Sequence, residues 1–143
     1  MVAAVAAFDP QMAEKAAQAS SESLLKIKLN DDRPYERLAA IRAARPDAEL
    51  IVDANQGWTI ELLRDIVPGC KELGVHLIEQ PLPRGQDSAL DQFESEIALA
   101  ADESILDVNE LEGVFSRYDV INIKLDKCGG LTAALTLARA ALA

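Results

Sequence analysis

The chain has 143 residues, half of them apolar and with no low-complexity tract. That allows one domain with a single core and makes a folded globular chain the default. A formal net charge of −10 argues against nucleic acid or an anionic membrane as partner, and the longest apolar run falls far short of the ~18 residues of a spanning helix. Residues 1–8 lack the basic start of a secretory signal. Cys70 and Cys128, far apart and without metal-type spacing, fit a reducing cytoplasm.

In chain order, residues 2–8 are predicted as a strand with a frayed start. Asp9 and Pro10 then open a helix as N-cap and first helical residue, and alanine-rich residues 11–20 continue it. Residues 24–29 form a strand, followed by a polar turn at Asn30, Asp31 and Asp32. Pro34 opens the next helix; Leu38, Ile41 and Ala44 mark its buried face, and Arg45 with Pro46 ends it. Residues 49–52 are a short buried strand that ends on Asp53 and breaks at Gly57. Thr59 caps a helix carrying Leu62, Leu63, Ile66, Val67 and Leu73, in which Pro68 and Gly69 predict a kink or a short break. Gly74 ends that helix, strand 75–78 closes on Glu79, and the prolines at 81 and 83 make an extended loop. Residues 87–96 are predicted as a short amphipathic helix, and strand 97–101 closes on Asp102. Asp107 caps a brief helix to 114, strand 119–124 closes on Lys124, Gly129 and Gly130 make a turn, and a last helix covers 131–143.

The strand-end charges Lys28, Asp53, Glu79, Asp102 and Lys124 follow one another at intervals of 25, 26, 23 and 22 residues by subtraction. That period is one strand–helix unit, and strands alternating with helices mean a parallel sheet with right-handed crossovers. A doubly wound sheet and part of a (β/α)₈ barrel both fit. The Gly-rich first turn of a dinucleotide-binding sheet is missing, and charges delivered from many strand ends are the habit of a barrel. A full barrel takes roughly 200 residues or more, so the expectation is an α/β fold, a partial (β/α)₈ barrel of about six units.

Lys26 and Lys28, two apart on a strand, share one face, and two ammonium groups there repel. That lowers the proton affinity of at least one and suits a base. Asp53, Glu79 and Asp102 would repel one another unless a cation sat between them. Oxygen donors without histidine or thiolate favour Mg²⁺. With a substrate carboxylate on that cation, Lys28 and Lys124 would flank the α-carbon, one removing its proton and the other protonating the opposite face.

The motifs Lys26-Ile27-Lys28, Asp53-Ala54-Asn55-Gln56-Gly57-Trp58, Ile78-Glu79-Gln80-Pro81, Ala101-Asp102-Glu103-Ser104 and Asn122-Ile123-Lys124, then Cys128-Gly129-Gly130, resemble the enolase superfamily. The likeness covers residues 9–131 and is strongest to the muconate-lactonizing branch, in particular its dipeptide epimerases. The resemblance implies a Mg²⁺-dependent epimerase or racemase acting on a small carboxylate, a dipeptide or an N-acyl amino acid. It implies Lys28 and Lys124 as acid and base, Lys26 as the neighbour that tunes Lys28, Asp53, Glu79 and Asp102 as metal ligands, and Asn55 and Glu103 in support. A cycloisomerase or an o-succinylbenzoate synthase shares the same residues. Residues 1–143 are expected to form a single incomplete barrel domain without the family's capping domain and last two strands. Uncovered edges make a homo-oligomer, or a catalytically silent fragment that self-associates, the competing expectation.

Plainer roles are assigned elsewhere. His76, inside an apolar strand, is expected to pack against a helix, Trp58 to pack at the rim, and Gly129-Gly130 to make a strand-to-helix turn. Glu61, Asp65, Glu110 and Glu112 read as solvated helix faces.

Overall fold

The computed structural model describes residues 2–6, 10–18 and 21–142. Among these, strands and helices alternate: β1 (Val2–Ala6), α1 (Pro10–Gln18), β2 (Leu24–Lys28), α2 (Pro34–Ala44), β3 (Glu49–Asp53), α3 (Ile60–Glu72), β4 (Val75–Glu79), β5 (Ala98–Ala101), α4 (Leu111–Phe115), β6 (Val120–Ile121) and α5 (Leu131–Ala141). All six strands are parallel, and their order in the sheet is their order in the chain. That order decides between the two architectures the sequence leaves open. A doubly wound sheet reverses direction at a switch point, whereas a barrel adds each strand beside the last.

The sheet's two faces differ as the strand alternation requires. Leu25, Ile27, Leu50, Val52, Ile78 and Leu99 are at most 2% exposed and form the core with Leu38, Ile41, Leu63 and Ile66 of the helices. On the other face Lys26, Ile51, Leu77 and Ala98 are only half-buried. That face carries the charged strand ends.

Local chemistry sets most boundaries. Pro34 occupies the first turn of α2, where its missing N–H costs nothing. Thr59 caps α3 by accepting a hydrogen bond from the Leu62 N–H, and Asp107 caps the short 3₁₀ turn Val108–Glu110 in the same way through Asn109. The proposed cap at Asp9 lies outside the described residues, as do residues 7, 8, 19 and 20 of the first predicted strand and helix.

The structure corrects four expectations. Helix α3 runs unbroken through Pro68. The pyrrolidine removes one backbone donor, and Pro68 sits on the exposed side, where water can satisfy the freed carbonyl. The helix predicted for residues 87–96 shrinks to a 3₁₀ turn, Asp87–Leu90. Beyond it, Ser95 Oγ bonds both the carbonyl and the N–H of Ile97, and such side-chain bonds compete with the helical ladder. Strand β6 keeps two residues of the six expected. Pairing continues only as far as the bond from the Asn122 N–H to the Ala101 carbonyl, 2.8 Å, before the chain turns. His76 is exposed, because the register between β3 and β4 shifts beside it: Leu50 pairs with Val75 but Ile51 with Leu77. No helix among the described residues is long and apolar enough to cross a membrane.

Candidate active site

The register collects the charges on one rim. Lys28 pairs with Asp53, Asp53 with Glu79, and Glu79 with Ala100. Asp102 lies two residues beyond Ala100 and so on the same face. Backbone bonds continue past the strand ends and hold the rim in place: Leu29 N–H to the Asp53 carbonyl at 3.0 Å, Ala54 N–H to Glu79 at 3.1 Å, and Gln80 N–H to Ala100 at 2.8 Å.

After Asp53 the chain turns sharply. Asn55 and Gln56 adopt positive φ (46° and 66°), a conformation asparagine tolerates through local hydrogen bonding. The Asp53 carboxylate supplies that bond, accepting from the Asn55 N–H at 3.0 Å. Gly57 is required by close approach, since a Cβ there would meet the Ala54 carbonyl oxygen at 2.9 Å. Trp58 follows, 1% exposed, with its indole N–H on the Asn30 carbonyl at 3.2 Å. It is the rim packing residue the sequence suggests.

Asp53, Glu79 and Asp102 are 2%, 5% and 1% exposed, and each faces ammonium groups. Lys26 Nζ lies 3.0 Å from Asp53 Oδ2 and 2.7 Å from Glu79 Oε2. Lys28 Nζ donates to Asn55 Oδ1 at 2.6 Å and stands 3.5 Å from Asp53 Oδ2. Lys124 pairs with Asp102 Oδ2, while Lys127 reaches Asp102 Oδ1 at 3.4 Å and Glu103 Oε1 at 3.5 Å. Asn122 Nδ2 donates to Glu79 Oε1 at 2.8 Å. All eight residues singled out from the sequence therefore stand on this rim. Lys127 and Asn122 escaped that reading as site residues, although Asn122 is two before Lys124 and Lys127 three after it.

Burial pushes the Asp102 carboxyl up. The hydrogen bond and charge of Lys124, the charge of Lys127 and a hydrogen bond with Glu79 outweigh it, and Asp102 stays below the usual carboxylate range. Of the two lysines on β2, Lys26 is not one with weakened proton affinity. Burial lowers it, but hydrogen bonds to Glu79 and Asp53 and the charges of both acids prevail, holding it above the ordinary lysine value.

No group of three or more His, Cys, Asp and Glu side chains among the described residues is arranged to hold a metal ion. The carboxylates are turned to lysines instead, with Lys26 between Asp53 and Glu79. The donor set nonetheless fits a hard divalent cation. It consists of three buried carboxylates from adjacent strand ends, and Glu103 Oε2 beside them is buried without a hydrogen-bond partner.

Residues 11–143 match the family described as enolase C-terminal domain-like, and the chain belongs to that family. It is 48% identical over 120 residues to the L-Ala-D/L-Glu epimerase of Escherichia coli (strain K12), covering 84% of this chain and 37% of that protein. A solved L-Ala-D/L-Glu epimerase structure, 41% identical, superposes with a TM-score of 0.94 over 99% of this chain and 46% of its own. The dipeptide epimerase from Cytophaga hutchinsonii complexed with Mg and the dipeptide D-Ala-L-Val, 28% identical, superposes with a TM-score of 0.91, again over 99% of this chain and 42% of that one. The six parallel strands are thus part of the family's barrel, and the chain spans less than half the length of these relatives.

Proposed function

We propose that this chain carries the metal-binding and proton-transfer half of an epimerase or racemase site that inverts the carbon α to a carboxylate, with a dipeptide as substrate and an N-acyl amino acid as the nearest alternative. The observation that carries this reading is the order of charges across the sheet: Lys28 on β2, then Asp53, Glu79 and Asp102 at the ends of β3, β4 and β5, then Lys124 beyond β6. Amines stand on both sides of the three acids, as inversion requires a base on one face of the α-carbon and an acid on the other.

Asp53, Glu79 and Asp102 would hold Mg²⁺, with Glu103 and Asn55 beside them. Bound there, the ion supplies Lewis-acid polarisation of the substrate carboxylate. The chain's own groups handle the protons. Lys28 is oriented by Asn55 and Asp53, Lys124 by Asp102, and Lys26 is the neighbouring charge on Lys28's face. For one enantiomer Lys28 takes the α-proton and Lys124 returns one; for the other the roles exchange. A cycloisomerase or o-succinylbenzoate synthase would draw on the same rim. The named activities of the relatives favour epimerisation.

The test is α-proton exchange in D₂O by this chain with MgCl₂, over L-Ala-L-Glu, other dipeptides and N-acyl amino acids. Exchange is expected, and Lys28→Ala and Lys124→Ala should each lower turnover by about 10²–10⁴-fold, the usual worth of a positioned acid or base. No exchange with any member of the panel overturns the reading.

A second reading, self-association without turnover, is favoured by the β6 edge, where Phe115, Val120 and Leu142 are 57%, 43% and 89% exposed.

A further inference from the structure

Directly behind the rim lies a buried polar cluster that the proton chemistry does not use. Gln80, the residue after Glu79, is fully buried and has a φ of 38°, in the left-handed region that glutamine rarely adopts. Its side-chain oxygen accepts from the backbone N–H groups of Asp102 (2.9 Å) and Ser104 (3.1 Å). Its amide nitrogen donates to the Leu82 carbonyl (2.9 Å) and Ser104 Oγ (2.8 Å), with the Tyr118 hydroxyl at 3.4 Å. These partners fix which end of the amide is which, because reversing it would set NH₂ against two N–H donors. Asp87 anchors the cluster from behind: Ser104 Oγ and the Tyr118 hydroxyl donate to its Oδ1 at 2.7 and 2.6 Å, and the Gly85 N–H to its Oδ2 at 3.1 Å.

One side chain therefore ties two strand ends together. Gln80 is bonded in sequence to Glu79 and in space to the main chain of Asp102, the two carboxylates at the ends of β4 and β5 assigned to the cation. A residue held in a strained conformation by this many bonds persists because its surroundings over-determine it. We propose that Gln80, locked by Ser104, Asp87 and Tyr118, is a positioning residue that sets the spacing of Glu79 and Asp102 and thereby the chain's affinity for a divalent cation. This rests on the metal assignment made above.

The test is calorimetric titration of Mg²⁺ into the 143-residue chain and its variants, with the melting temperature of each measured without metal. Tyr118→Phe and Ser104→Ala each remove one hydroxyl from the cluster, and Gln80→Met removes the link. Each should weaken Mg²⁺ binding by about 10- to 100-fold, the usual effect of losing a group that orients a metal ligand. Ser104→Thr, which keeps the hydroxyl, should bind like the parent chain. If Gln80→Met fails to fold, the two hydroxyl variants decide. A merely structural role would lower the metal-free melting temperature and leave the Kd unchanged; that result overturns the positioning role and leaves the metal assignment standing. Absence of Mg²⁺ binding by the parent chain overturns both.

Discussion

At Asp53 a nearly unexposed carboxylate bonds the N–H of Asn55 and meets the amines of Lys26 and Lys28. If it also holds the cation, Mg²⁺ at a hundredfold over its Kd adds about 2.7 kcal/mol of stability. That corresponds to a rise of roughly 5–10 °C in melting temperature for a domain of this size. Asp53→Asn keeps the shape and the acceptor for Asn55 but removes the charge, so its melting temperature should not respond to Mg²⁺. An equal rise in the variant would remove Asp53 from the site. Tyr118 gives a second residue-level test. Burial, reinforced by the hydrogen bond and charge of Asp87, pushes its phenol well above the ordinary tyrosine value. The folded chain then holds a proton that the unfolded chain releases near pH 10, so this contribution to stability is present below about pH 10 and lost as pH rises above it. In a Tyr35→Phe background, tyrosinate absorbance at 295 nm should appear together with unfolding; titration of the phenol in the folded protein would contradict this burial.

Among the elements, α3 tests the cost of an internal proline. Alanine is about 3 kcal/mol better than proline in a helix interior, offset by up to about 1 kcal/mol for the looser unfolded chain. Pro68→Ala should therefore stabilise the protein by about 2 kcal/mol in urea unfolding. No gain would mean that the ring packs in a way its exposure does not suggest. The same helix shows what a sequence reveals. Its cap at Thr59 and its apolar face at Leu63, Ile66 and Val67 were legible because capping and 3.6-residue periodicity are local. The strand-end acids and lysines were legible because each closes an apolar run. Continuity through Pro68 was not, since it depends on which side of the helix meets solvent. The helix expected over residues 87–96 was cut to a turn at 87–90, beyond which side-chain bonds that periodicity does not register take over. Gln80 reads as one more loop residue until its partners at 102, 104 and 118 come together across three units, and the exposure of His76 depends on a register shift between two strands.

For the whole molecule, the sheet ends at β6 with Val120 and Phe115 exposed, α5 adds Leu131 and Leu135, and Leu142 follows directly after it. A strand edge and an apolar surface side by side are the features through which copies pair. The chain should sediment above its monomer mass of 15.4 kDa. Val120→Lys, which places a charge on the edge without entering the core, should shift it toward the monomer. An unchanged mass in the variant would locate any association elsewhere.

Trp58 is the sequence's single tryptophan. It belongs to the loop after β3, its indole touches the loop after β2 through Asn30, and its backbone N–H reaches Pro81 after β4 at 3.0 Å. The protein thus carries one native fluorophore at the seam of three adjoining loops on the charged rim. Its emission should lie at short wavelength in the folded state and move to the red when those loops part, giving an optical record of the rim with no label attached.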